Sequence, residues 1–280
     1  SGELDAATGD FSGDVDVDGT LETDAITLGG TSFIKIAGTN FTGSLLLGHT
    51  TTGTLDAATY NTGVGLTALD ALTTGDHNTA VGYGAGTALD TGTANTLIGK
   101  DSGDSLAGGA YNTCVGMVSG QAISSAGYNT HIGYGSGYAS NAADCSSLGF
   151  SASFYPTGAN NTSIGSEALK GVDGSSAANS TAVGMDAGKA VTSGAYNLFL
   201  GAVSGDNITS GDGNVIIGSV DAASATGDRQ LMITGYDGST TTTWITGDSS
   251  GNVTMPAEIA AATLDISGAI DIDGTANLDT

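Results

Sequence analysis

The sequence predicts an all-β fold: a β-solenoid, or β-roll, of about eleven rungs of 16–19 residues, with β-stems on its flanks. Three observations predict it. An aliphatic residue followed by Gly recurs from Val64-Gly65 through Val81-Gly82 and onward to Gly99, Gly116, Gly133, Gly149, Gly165, Gly184, Gly201 and Gly218. The spacings between these glycines are 17, 17, 17, 17, 16, 16, 19, 17 and 17 residues. Other positions keep the same register. Asn stands three before the aliphatic residue at Asn61, Asn78, Asn95, Asn112, Asn129, Asn161, Asn197 and Asn214, with Cys145 and Ser180 in the two remaining copies. A small residue (Ala68, Ala85, Ser102 and their successors to Ser204) follows each glycine but the last by three. Finally, the 47 glycines and many β-branched residues weigh against helix, by roughly 1 kcal/mol per Gly. A register held over ten copies also argues against a disordered chain, despite the Gly, Ser and Thr content.

Four segments follow in order. Residues 1–43 read as an N-terminal β-stem: Ser12 to Thr20 alternates polar and apolar residues and closes on a D-G turn. Residues 44–222 are the repeat array, with Leu47-Gly48 as a degenerate first copy. Each copy is too short to bury a face alone, so stacked copies share one core. Its length suits two short strands and two turns. The aliphatic residue is expected to point inward and the corner Asn to form an amide ladder. Residues 223–256 read as a three-stranded meander: Arg229 to Thr234, Thr240 to Thr246 with Trp244, and Asn252 to Met255, ended by Pro256. Residues 257–280 repeat the stem motif at Ser267 to Thr275, with Ala257 to Leu264 as a short turn.

Composition narrows the partners. The chain has 5 basic and 29 acidic residues, a net charge of -24. Nucleic acid is excluded as a partner, since phosphate neutralisation needs clustered Lys and Arg. Anionic membrane surfaces are disfavoured on the same ground. No apolar run approaches the roughly 20 residues that cross a bilayer, so membrane insertion is not expected. Charged residues make up 12% of the chain, about half the usual share, which fits a repetitive particle kept soluble by its acidic surplus.

Motifs that carry chemistry dissolve into the repeat. Asp14, Asp16 and Asp18, followed by Gly19, imitate the start of an EF-hand loop, but Ala25 holds the twelfth position where Glu is required. An alternating strand with Asp facing water accounts for them, and a loosely held Ca²⁺ is the one cofactor reading. Gly82-Tyr83-Gly84-Ala85-Gly86 and Gly133-Tyr134-Gly135-Ser136-Gly137 lack phosphate-loop spacing. His49, His77 and His131 fall in different repeats and read as single surface histidines. A glycan hydrolase would need two convergent carboxylates, and none stand out from the pattern. The chain is therefore expected not to be an enzyme. Tyr60, Tyr111, Tyr128 and Tyr196 each precede a corner Asn, and are read as stacking between rungs rather than as a sugar platform. Cys114 and Cys145 are two rungs apart, about 9.6 Å, and are expected to remain free thiols.

The array resembles the head repeats of trimeric autotransporter adhesins, through Asn78-Thr79-Ala80-Val81-Gly82 and Ser180-Thr181-Ala182-Val183-Gly184. It resembles marine phage tail-fibre and virion-fibre proteins more fully, because Asp271 to Thr275 and Trp244 to Val253 match their flanking segments. The repeat length near 17 residues departs from the 14 usual in the adhesins. The resemblance implies a homotrimer of parallel β-rolls on a virion or outside a cell, joined to other fibre or virion proteins. A host-surface glycan or protein is the implied target. A cellular adhesin or surface filament is the alternative, a fibre-borne glycan hydrolase the third reading, and an ice-binding solenoid the last. Three chains on one axis would also cover the apolar edges that a single narrow roll leaves exposed.

Overall fold

The computed structural model describes residues 26–28, 31–36, 42–48 and 56–256. Asp14, Asp16, Asp18, His49, both D-G-T stem motifs and residues 257–264 lie outside the described residues. All the regular secondary structure described is β. Two antiparallel strands, β1 (Ile26–Leu28) and β2 (Thr31–Ile36), lead into β3 (Leu45–Leu47). The rung strands follow: β4 (Thr62–Val64), β5 (Thr79–Val81), β6 (Thr96–Ile98), β7 (Thr113–Val115) and β8 (Thr130–Ile132). The array continues through β9 (Ser146–Leu148), β10 (Thr162–Ile164), β11 (Thr181–Val183), β12 (Leu198–Leu200) and β13 (Val215–Ile217). An antiparallel meander of β14 (Leu231–Tyr236), β15 (Thr241–Gly247) and β16 (Val253–Thr254) closes the described chain.

These 16 strands form one sheet in strict sequence order. From β3 to β14 every pairing is parallel and in register, so Thr79 faces Thr96 and Val81 faces Ile98. The β3–β13 strands make eleven rungs, and at the usual spacing of about 4.8 Å the stack is on the order of 50 Å long. One strand per rung, not two, carries this ladder. The opposite side is built of turns, yet it also bonds rung to rung: Gly86, Ala88 and Asp90 donate to the carbonyls of Ser102, Asp104 and Ala107 at 2.9, 3.0 and 3.0 Å.

The expectation that the aliphatic residue points inward is overturned. Asn78, just before β5, and Ala80 within it are fully buried, whereas Val81 is 36% exposed. Strand side chains alternate with period 2, so residues three apart face opposite ways. Asn and the aliphatic residue cannot both be inside, and the Asn ladder decides the parity. Asn78 Nδ2 donates to Asn61 Oδ1 at 3.1 Å and to the Gly92 carbonyl at 2.9 Å. Its Oδ1 accepts from the backbone N–H and Nδ2 of Asn95, both at 3.0 Å. Such a satisfied amide is stable in the core, whereas an orphaned one would cost about 1–3 kcal/mol.

Glycine closes each strand for a steric reason. Gly82 has φ +136°, and a Cβ there would lie 2.5 Å from the Gly99 carbonyl oxygen of the next rung. The same clash recurs down the column, with 2.4 Å at Gly116 and 2.5 Å at Gly165. The backbones of successive rungs touch at this corner, which only glycine permits.

The core lies between the strand side and the turn side. Its two apolar clusters are centred on Leu69, Leu89, Leu97 and Leu106, and on Leu169, Val191, Phe199 and Ile208. Between them the middle strand residues are polar: His131, Ser147 and Ser163, all buried.

Candidate functional site

The residues singled out in the sequence fall on two columns, both structural. Asn61, Asn78, Asn95, Asn112, Asn129, Asn161, Asn197 and Asn214 are all buried. Cys145 and Ser180 occupy the Asn slot where it is broken. The N–H of Cys145 donates to Asn129 Oδ1 and that of Ser180 to Asn161 Oδ1, each at 3.0 Å, so the backbone half of the ladder persists. The ladder's ends were not legible in advance. Ser44 Oγ accepts from Asn61 N–H at 2.7 Å at one end, and Gln230 donates to Asn214 Oδ1 through N–H at 2.8 Å and Nε2 at 3.1 Å at the other. Cys114 and Cys145 are both free and buried, and burial pushes the Cys114 thiol up to about 12.

The surface feature is the outer face of the parallel sheet. Four columns point outward on it: the residue before Asn, the Thr, the aliphatic residue, and the residue after Gly. Across one rung they read Tyr128, Thr130, Ile132 and Tyr134, all exposed. The aliphatic column includes Ile98, Ile132, Leu148, Ile164 and Leu200, from 37% to 48% exposed. Flanking rings stack between rungs: Tyr111 on Tyr128 at 5.1 Å, Tyr134 on Phe150 at 5.3 Å and Tyr60 on His77 at 5.0 Å. Over β4–β13 these columns carry only two charged residues, Lys100 and Asp144. Lys100 is paired with Asp101 and reaches over the Tyr83 ring at 5.5 Å.

Acidic residues gather on the turn side and its corners. Glu167 holds Lys170 at 3.0 Å and also pairs with Lys189, which in turn lies 3.1 Å from Asp186. Both lysines hold the Glu167 carboxyl below the usual range. One column on, Asp206 and Asp221 share a hydrogen bond, and this with desolvation raises Asp206 to about 6. Two glycosidase carboxylates would stand about 5–5.5 Å or more apart, not in direct contact. Among the described residues, no three or more His, Cys, Asp or Glu gather as a metal site, and no helix is long and apolar enough to cross a membrane.

His131 departs from its reading as a surface histidine. As the middle residue of β8 it points inward and is fully buried. Neither ring nitrogen has a hydrogen-bond partner, and burial lowers its pKa to about 4. Strand parity was the signal that could have found it, because His131 lies two after the corner Asn129. No family model matches the chain, and neither a curated protein nor a solved structure matches it.

Proposed function

We propose that the chain is a structural segment of an extracellular fibre, a virion or tail fibre serving attachment to a host surface. It acts as a homotrimer whose protomers meet through the outer face of the parallel sheet. The observation that carries this is the segregation of charge. Residues 44–222 carry 13 acidic and 3 basic residues, yet their outer face presents aliphatic and aromatic columns with two charged residues in ten rungs. Its footprint, on the order of 50 Å by 20 Å, is about 1,000 Å². The largest apolar patch on a typical monomer is about 300–600 Å², whereas a stable interface takes about 800 Å² from each partner. The meander continues the face, since Ile233 stacks on Ile217 and Trp244 lies over Gly235. Three copies rather than two is the state implied by the resemblance of the repeats to trimeric fibres.

Sedimentation equilibrium of the whole chain tests the assembly. A mass near three times 27.1 kDa is expected, and a monomer at native salt would overturn it. Antibody labelling of intact particles in the electron microscope tests the location, with decoration along a projecting fibre as the expected result.

A further inference from the structure

We propose that Cys114 and His131 form a two-coordinate site for a soft monovalent metal ion, Cu(I), inside the solenoid between two adjacent rungs. The proposal does not depend on the fibre reading. Cys114 and His131 are direct partners in the β7–β8 ladder, both middle strand residues, both pointing into the core. Their side chains lean on the same wall. A Cβ at Gly120 would lie 2.5 Å from Cys114 Sγ, and one at Gly137 would lie 2.5 Å from His131 Cε1 and 2.6 Å from each ring nitrogen.

The second observation is polar and independent of the cysteine. Both ring nitrogens of His131 and the hydroxyl of Ser147, on the next rung, are buried without a hydrogen-bond partner. Orphaned buried polar atoms of this kind call for an unseen partner such as water or an ion. Three potential donors therefore stand on consecutive rungs: sulfur, nitrogen and oxygen. Cys114 stands at the end of the first apolar cluster, and His131 and Ser147 lie between it and the second.

The spacing suits a metal. Rungs are about 4.8 Å apart, and bonds of zinc-like length, about 2.3 Å to sulfur and about 2.0 Å to nitrogen, would together span nearly that gap. Charge then selects the ion. Binding releases the thiol proton to solvent, and the thiolate bears one negative charge. A monovalent cation makes a neutral unit that an apolar core tolerates. Zn²⁺ would leave one positive charge buried and uncompensated, which is costly. Thiolate and imidazole are also ligands that suit copper.

The full chain would be refolded without oxygen, with reductant and Cu(I), then washed with a Cu(I) chelator. One copper per chain is expected to remain. Absorption spectroscopy at the copper edge should show one sulfur and one nitrogen neighbour. Cys114→Ala and His131→Leu should lose the copper while remaining folded, because the same column holds Ala80 and Leu97 in other rungs. Cys145→Asn should keep it, since Cys145 belongs to the Asn column. The site is overturned if the wild-type chain retains no copper, if His131→Leu retains as much as wild type, or if the absorption spectrum shows sulfur alone.

Discussion

His131 sets the residue scale because it breaks the rule that the Asn column obeys. A buried polar side chain is expected to find partners, as the Asn column does at every step, and neither ring nitrogen of His131 has a hydrogen-bond partner. Leu97 fills the equivalent position two rungs away, fully buried against the Cα of Gly103. His131→Leu should therefore stabilise the metal-free protein by about 1–2 kcal/mol, by removing two orphaned nitrogens from a site already shaped for an apolar side chain. A higher midpoint in denaturant at unchanged slope would show this. Asp206 titrates in the opposite sense to most carboxylates held in a folded protein. The folded pKa of Asp206 is raised from 3.8 to about 6, first by its bond to Asp221. The folded state thus binds the proton more tightly than the unfolded one. The stabilisation is complete below pH 3.8 and is lost as the pH rises through about 6. Thermal melts between pH 4 and 7 should show that dependence in the wild type, and Asp206→Asn should flatten it.

At the scale of the rung, much of the architecture was legible and its inside was not. The interval between glycines gave the rungs, and Asn at a constant offset gave the ladder, because each reports a contact that every copy repeats. The facing of the side chains was missed through parity: Asn61 and Val64 are three apart and cannot share a side. The core also hid its logic by compensation. Where the middle strand residue is large, as at Phe199, the turn side supplies Gly188 and Gly205, whose added Cβ atoms would lie 2.5 Å from the ring. Where it is Gly63, Leu46 of the preceding rung fills most of the space, its Cδ2 lying 2.4 Å from where a Cβ would stand, with Leu69 beside it. No single column is therefore uniformly apolar, although each rung keeps a filled interior. The corner glycine has no such freedom. Gly116→Ala meets the Gly133 carbonyl oxygen at 2.4 Å with φ +135°, so it should cost about 3 kcal/mol or more. Gly108→Ala, where an added Cβ would meet Thr91 Oγ1 at an ordinary 3.5 Å, should change stability little. Paired melting curves of the two variants check both.

At the scale of the molecule, the exposed aliphatic column separates folding from assembly. Ile132 is 37% exposed in the single chain, so a carboxylate placed there keeps its water and leaves the core intact. In the assembly proposed above the same carboxylate would be enclosed against the neighbouring protomers. Three copies would then bring three like charges toward one axis, each desolvated and unpaired, at a cost of several kcal/mol apiece. Ile132→Asp should thus abolish the trimer and spare the rung. Sedimentation should return the 27.1 kDa monomer, and circular dichroism should retain the β signal. Ala107→Asp, exposed on the turn side, adds the same charge to a chain already at -24 and should leave the trimer whole. The pair distinguishes burial at an interface from general charge repulsion, which salt would screen over about 8–10 Å. Dissociation of both variants alike, relieved by salt, would place the cause in net charge and remove the outer face from the interface.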